Sequence, residues 1–217
     1  MIDSRSNVLA LDTAGPEPGL CLLARGEMFE QRLPSDRQSS ERLLPSLRLL
    51  LQGAGIALAD CGRIAACSGP GSFTGLRIGL ATAWGLGRAL EIPVEEVSTL
   101  EALAEAFRPA GVGEVTAVLD AGRGEVVVQG FSLDGPRARP LGPARRTSRE
   151  EAEGLAGPVA VLPADLLGSR AGVPFLSLSH ALAAAVSAAP RDREAGAHKP
   201  RAIYSRPSAA EEKRGAS

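Results

Sequence analysis

Aromatic residues are scarce in this 217-residue chain, at 3%, with one Trp and one Tyr. Modules that read single-stranded nucleic acid stack bases on aromatic platforms, so the shortage argues against base recognition by this chain alone. An excess of charge of one sign is also missing. The 24 Lys and Arg against 25 Asp and Glu leave a net charge of −1, and no global field draws the protein to nucleic acid or to an anionic membrane. Cysteine is limited to Cys21, Cys61 and Cys67, an odd number without Cys-x-x-Cys spacing. That argues against a disulfide framework or a cysteine zinc site and points to a reducing cytosol. The two histidines, His180 and His198, are far apart and form no helical pair, so no histidine-based metal centre is expected; His180 reads as a helix-terminus residue. Long apolar runs are absent as well. Val8 to Leu11 is too short for a secretory signal, and Ala171 to Pro190, though uncharged, carries Pro174, Ser177, Ser179, His180 and Ser187, a polarity that a membrane span does not tolerate.

What is present is an ordinary soluble composition, 44% hydrophobic and 23% charged, with 25 glycines. It suffices for a real core, in which close backbone packing replaces ring packing. Three strand-like runs open the chain, Val8 to Asp12, Gly19 to Ala24 and Met28 to Arg32, with Arg25-Gly26 as a hairpin turn. A helix follows from about Ser40 to Gln52, with leucines at 43, 44, 47, 50 and 51 on one side and Leu49 pointing away from them. Pro45 predicts a kink there, or a helix regular only from Pro45 onward. Next come a strand at Arg63 to Cys67, a Gly-rich turn, a long helix at Phe73 to Leu90, a strand at Val94 to Val97 and a helix at Thr99 to Phe107. This β-β-β-α-β-α-β-α order matches the ribonuclease-H-like half of the actin and sugar-kinase ATPase fold. VLALDTAG at Val8 to Gly15 recurs as AVLDAG at Ala117 to Gly122, followed by a partner strand at Glu125 to Phe131. The expectation is two copies of one unit, a lobe over residues 1–108 and a smaller one over 109–208, joined near Arg108 to Gly113, with Asp12 and Asp120 at equivalent strand ends beside a cleft. Beyond Phe131 the chain is rich in Arg, Pro and Gly and reads as loop, then a helix near Ser148 to Leu155, a strand at Val159 to Leu162 and an Ala-rich helix at Leu178 to Ala189. Residues 209–217 read as a disordered tail.

The loop SGPGSFTGLR at Ser68 to Arg77 sits between strand and helix, where backbone N–H groups and the helix dipole favour an anion. It lacks the spacing and the lysine of a Walker loop, and it is not a nucleophile elbow. Two readings stand: a tight turn with Ser72 or Thr74 capping the helix, or phosphate contact through Gly69, Gly71, Ser72, Thr74 and Gly75 with Asp12 holding a magnesium-bound water. The helix at Phe73 to Leu90 contains Gly75, Gly79, Gly85 and Gly87, whose propensity cost implies close approach of another backbone. Arg77, Ala81, Trp84 and Arg88 share one stripe of it. Trp and Arg are enriched at interface hot spots, so Trp84 is either a partner contact or a residue half-buried under the second lobe.

LALDTA (Leu9 to Ala14), SERLLP (Ser40 to Pro45), GPGSFTGLRIG (Gly69 to Gly79) and VSTLEALA (Val97 to Ala104) resemble the motifs of the bacterial TsaB family of tRNA threonylcarbamoyladenosine biosynthesis proteins, once grouped with glycoprotease-like proteins. LDAGRGEV (Leu119 to Val126) and IYSR (Ile203 to Arg206) add weaker matches. The resemblance implies a two-lobed actin-like ATPase fold without catalytic activity of its own. It implies pairing with the catalytic paralogue TsaD, recruitment of the ATPase TsaE, and tRNA contact only through that complex in the cytoplasm. The first two helices would form the pairing surface, here Ser40, Leu44, Arg48, Leu49, Arg77, Ala81, Trp84 and Arg88, for TsaD or for a second copy in isolation. No catalytic residue or metal ligand is implied, and ATP or ADP with magnesium would bind at the partner interface. Two positions depart from the pattern: Ser39 stands near where many relatives have His, and Trp84 where they usually have Lys or Gln. The rival reading is an autonomous ATP-dependent transferase or peptidase using Asp12, Asp120 and the Gly69–Gly75 loop. A third is direct tRNA binding through Arg137 to Arg149.

Overall fold

In a computed structural model that describes residues 7–34, 39–167 and 176–188, the chain enters on a strand buried on both faces. β1 (Val8–Asp12) is fully buried and its side chains alternate between two cores, Val8 and Ala10 into one, Leu9 and Leu11 into the other, as the period-2 geometry of a strand dictates. β1 pairs antiparallel with β2 (Gly19–Ala24), which pairs antiparallel with β3 (Glu27–Arg32). On its other side β1 runs parallel to β4 (Arg63–Cys67), and β4 parallel to β5 (Val94–Val97). The first sheet is therefore ordered β3-β2-β1-β4-β5. Arg25 and Gly26, both at positive φ, form the β2–β3 turn, the mirror-image geometry that two-residue hairpins favour.

The same pairing recurs after the joint at Arg108–Ala110. β6 (Glu114–Gly122) is antiparallel to β7 (Glu125–Ser132) and parallel to β10 (Val159–Leu162), which repeats the relation of β1 to β2 and β4. Where the sequence reads as loop, the outer side of β7 carries two short strands, β8 (Arg139–Pro140) and β9 (Arg145–Ser148). They form a third strand broken in two. Pro140 and Pro143 interrupt it, and its exposed arginines hide the alternation that marks a strand.

Five layers result. α1 (Ser39–Ala54) and α2 (Phe73–Leu90) cover the outer face of the first sheet over Leu9, Leu11, Leu20, Leu22 and Ile64. Between the sheets lie α3 (Thr99–Ala106), buried at all but one of its positions, and α5 (Leu178–Ala188). The small α4 (Arg149–Glu153), capped by Ser148, whose Oγ accepts the Glu151 N–H at 3.1 Å, lies outside the second sheet. α5 follows the second sheet in sequence but packs on β1 and β2 of the first. α1 is helical from Ser39 straight through Pro45, so it does not wait for Pro45 to begin. The proline leaves the Glu41 carbonyl without its helical donor, and on this exposed side water replaces the donor.

Small residues make the inner layer possible. The facing surfaces carry Ala10, Ala65, Cys21 and Cys67 from the first sheet, Ala102 and Ala104 from α3, Ala183 from α5, and Ala117 and Ala160 from the second sheet. Ions also bridge the layers. Buried Glu95 of β5 receives Arg63 at 3.2 Å and Arg137 at 3.6 Å, and Arg137 also donates to Glu101 of α3. Glu105 of α3 accepts the Ala138 N–H and pairs with Arg108 at 2.6 Å. Each buried carboxylate thus has charge-assisted donors, the condition for tolerating it there.

α2 is set against the end of β1 at backbone distance. A Cβ on Gly75 would stand 1.9 Å from the Thr13 carbonyl oxygen, and one on Gly79 would stand 2.2 Å from Thr13 Oγ1. The Thr13 hydroxyl donates to the Gly75 carbonyl at 2.7 Å. A Cβ on Gly85, one turn from the helix end, would meet nothing within 4 Å. Gly75→Ala is therefore expected to cost about 3 kcal/mol through displacement of backbone. Gly85→Ala is expected to stabilise the isolated chain by up to ~1 kcal/mol through helix propensity. Urea unfolding of the two variants measures both, and equal effects would show that the approach of α2 to β1 is not tight.

Candidate functional site

β1 ends in Asp12, which is 0% exposed. Its Oδ1 accepts the N–H groups of Ala14 at 3.0 Å and Gly15 at 3.1 Å, an Asx-type turn that bends the chain away from the strand. Oδ2 meets no hydrogen-bond donor of standard geometry. It lies 2.8 Å from where a Gly15 Cβ would be, with Leu178 of α5 closing the same space, and the Cys67 thiol is its remaining polar neighbour. Burial raises the Asp12 pKa above its ordinary 3.8, against the lowering effect of the Ala14 and Gly15 N–H groups. Burial, together with Asp12, pushes the Cys67 thiol well above its usual range.

The Gly-rich loop follows β4. Gly69 is buried at φ +104, and its carbonyl accepts the Thr99 N–H at 2.8 Å. A Cβ on Gly71 would lie 2.7 Å from the Ala14 carbonyl oxygen, which accepts the Ser72 N–H at 2.9 Å. Ser72 caps α2, its Oγ accepting the Gly75 N–H at 3.3 Å, as one of the two sequence readings expects. Thr74 is exposed on the first turn. Asp12 and the loop are thus brought together, but as two faces of one packed turn. A magnesium-bound nucleotide does not fit this arrangement: the carboxylate is fully buried and the loop rests on Thr13 and Ala14. Asp120 keeps the turn of its counterpart, accepting the Gly122 N–H at 2.9 Å, but it is exposed and has Arg149 3.9 Å away. Asp12 and Asp120 share an origin in the repeat and do not form one site.

The outer helices present a different surface. Leu44 and Leu49 of α1 are 58% and 59% exposed, the most exposed large apolar side chains among the described residues. Arg48 lies exposed beside them, and Ser40 belongs to the first turn of α1. On α2 the stripe Arg77, Ala81 and Arg88 is exposed, and the Arg77 guanidinium lies 4.4 Å from the centre of the Phe73 ring. Trp84 is half-buried, yet not under the second lobe. It packs with the outer core of the first sheet, and its Nε1–H donates to Glu96 Oε1 at 3.0 Å. It lines a depression of about 580 Å³ with Gly85, Gly87, Arg88, Glu91, Ile92 and Val94. The close approaches implied by the α2 glycines are made inside the chain, by Gly75 and Gly79 to Thr13 and by Gly87 to Val94, whereas Gly85 alone is open.

Sequence reasoning did not single out Glu96, which orients Trp84, or Leu178, which closes over Asp12. Glu96 had a local signal, since buried Glu95 and half-exposed Glu96 alternate along β5; Leu178 had none. Of the arginines after Phe131, Arg137 is held by Glu95 and Glu101, Arg145 by Glu151, Arg146 by Glu125, and Arg149 faces Asp120. IYSR and the tail at 209–217 lie outside the described residues. Among the described residues no helix is long and apolar enough to cross a membrane.

Two sheets of matching topology, each built on a central strand that ends in an Asp turn, and a helical layer between them define a two-lobed actin-like protein. Residues 33–145 match the family described as TsaD: tRNA N6-adenosine threonylcarbamoyltransferase, and the chain belongs to that family, as a member of its TsaB/YeaZ type. It is 38% identical over 128 residues to the tRNA threonylcarbamoyladenosine biosynthesis protein TsaB of Escherichia coli K12, a stretch that is 58% of this chain and 55% of that one. The structure of YeaZ from Pseudomonas aeruginosa superposes with a TM-score of 0.62 at 37% identity, covering 70% of each chain. An uncharacterized protein with similarity to peptidase YEAZ, also from Pseudomonas aeruginosa, superposes with a TM-score of 0.71 at 30% identity, covering 92% of this chain and 99% of that one. The chain spans about half the length of the curated TsaB relatives it matches.

The raised pKa of Asp12 gives a test of its burial. A carboxyl whose folded pKa is raised contributes stability that is fully present below its unfolded value of 3.8 and is lost as pH rises through the higher folded value. Asp12→Asn keeps the acceptor for Ala14 and Gly15 and removes the ionisation. The stability of Asp12→Asn relative to wild type is therefore expected to increase as the pH of urea unfolding is raised from 4 to 8. A difference independent of pH would mean that Asp12 ionises freely.

Proposed function

We propose that this chain takes part in forming threonylcarbamoyladenosine at the adenosine next to the anticodon of tRNA, as a non-catalytic subunit that holds a TsaD-type catalytic paralogue. The surface we assign to the pairing is the outer layer, with Leu44, Arg48 and Leu49 on α1 and Arg77, Ala81, Trp84 and Arg88 on α2. The observation that carries the reading is the exposure of Leu44 and Leu49 on the same layer as the α2 stripe, because exposed apolar anchors framed by arginines are the make-up of interface centres. The enclosure of Asp12 supports the absence of an independent active site. The ion pairs made by Arg137, Arg145, Arg146 and Arg149 support tRNA contact through the complex rather than through this chain, since these cations already face carboxylates. A TsaE-type ATPase joins the pair, ATP or ADP with magnesium binds at the partner interface and not over Asp12, and without the paralogue the same surface pairs two copies of this chain in the cytoplasm.

Co-expression with the TsaD-type protein of the same cell, followed by size exclusion, tests the pairing. Leu49→Glu and Ala81→Glu are expected to weaken the complex about tenfold or more and to lower threonylcarbamoyladenosine in tRNA hydrolysates from cells that depend on the variant. Leu141→Glu, at an exposed apolar side chain of the second lobe, should leave both unchanged. Magnesium-dependent ATP turnover by the isolated chain, abolished in Asp12→Asn, would replace this reading with that of an autonomous enzyme.

A further inference from the structure

Three ligand types that are remote in sequence meet where α5 crosses the first sheet. Cys21 of β2 and Glu30 of β3 are directly opposite in the antiparallel register, so their side chains leave the same face of the sheet, about 5 Å apart at Cβ. α5 covers that face and places His180, in its first turn, beside them. The Cys21 Sγ, a Glu30 carboxylate oxygen and a His180 ring nitrogen all lie within 4.8 Å of one another, with His180 Nδ1 3.5 Å from Glu30 Oε1. Ser177 orients the carboxylate by donating to Glu30 Oε1, while its Oγ accepts the His180 N–H at 3.1 Å. Met28 Sδ accepts the Cys21 thiol at 3.6 Å.

We propose that Cys21, Glu30 and His180 form a zinc site that pins α5 to the first sheet. A thiolate, an imidazole and one carboxylate are a borderline-soft set that suits zinc and not magnesium or calcium. Bond lengths of about 2.0–2.3 Å place ligands about 3.5 Å apart around a tetrahedral ion. The widest separation here must therefore close by roughly 1 Å. Side-chain rotation at Glu30 and His180 would supply that movement, since Glu30 stands on the edge strand of the sheet with its side chain 42% exposed and His180 is 24% exposed. On binding, the Cys21 S–H bond breaks, its proton leaves to solvent and the sulfur pair forms the bond to zinc. His180 contributes a neutral nitrogen lone pair, Glu30 one carboxylate oxygen, and water takes the open fourth position; no electron is transferred. The histidine and cysteine counts excluded a metal site only because no two of these ligands are close in sequence. Burial, with Glu30 nearby, pushes the Cys21 thiol up to about 12, so without an ion the sulfur keeps its proton. Leu178, which closes over Asp12, is two residues from His180, so zinc at this point also holds that closure in place.

The test uses the full chain, purified with a chelator and a non-thiol reductant and then titrated with cobalt and with zinc. Wild type is expected to give a thiolate-to-cobalt charge-transfer band that zinc displaces, and a melting temperature raised by about 5 °C or more at a hundredfold excess of zinc over Kd. Cys21→Ser should abolish the band, His180→Ala and Glu30→Gln should weaken binding at least tenfold, and Cys61→Ser, at another buried thiol, should leave it intact. Absence of the band in wild type at 100 μM cobalt, or its persistence in Cys21→Ser, would overturn the proposal. Should Cys21→Ser fail to fold, the exposed Glu30→Gln decides, and undiminished binding there would equally overturn it.

Discussion

The structure depends on how closely α2 can approach the end of β1. Thr13 and Ala14, just past the buried Asp12, lie against Gly71, Gly75 and Gly79 with no room for a side chain on any of the three glycines. This contact joins the two most specific sequence blocks, the LDTA run and the GPGSFTGLRIG run, which makes each the template of the other. It fixes α2 on the outer face and therefore determines where the Arg77–Arg88 stripe points. It also leaves the Gly-rich loop resting on Thr13 and Ala14. The same packing thus sets the outer helix layer and encloses Asp12.

A second consequence concerns the interior. Here the space between the sheets is filled by α3 and α5, packed with alanine and cysteine side chains, and bridged by Arg137 between Glu95 and Glu101. Leu100, Leu103, Leu182 and Phe131 fill the space that these small residues leave. The shortage of aromatics accords with the alanines and cysteines on the facing surfaces of two sheets and two helices.

Much of this was legible in the sequence because its signals were local. The strands of the first sheet are short runs bounded by turn residues, Ser72 and Ser148 announce their helices as caps, and the recurrence of strand-Asp-small-Gly marks the repeat that the two sheets confirm. The β8–β9 edge was not legible, since Pro140, Pro143 and exposed arginines erase the pattern and only pairing with β7 makes it a strand. The α2 glycines were correctly read as a mark of close approach, but sequence does not say whose backbone approaches, and it proved to be the chain's own. Asp12 and Asp120 look alike in sequence because their turns are alike. Their environments differ because α5, more than 160 residues after Asp12, closes over one and not the other.

The return of α5 to the first sheet carries a consequence for how the molecule is made. Val8, Ala10 and Cys21 face inward toward a helix that leaves the ribosome only after the whole second sheet has been synthesised. The N-terminal half can form its hairpins and its outer layer early, but its inner face stays wet until residues 178–188 arrive. The two lobes are therefore sequential in the gene but share one interior, and the first sheet cannot complete its inner face until a helix encoded after the second sheet reaches it.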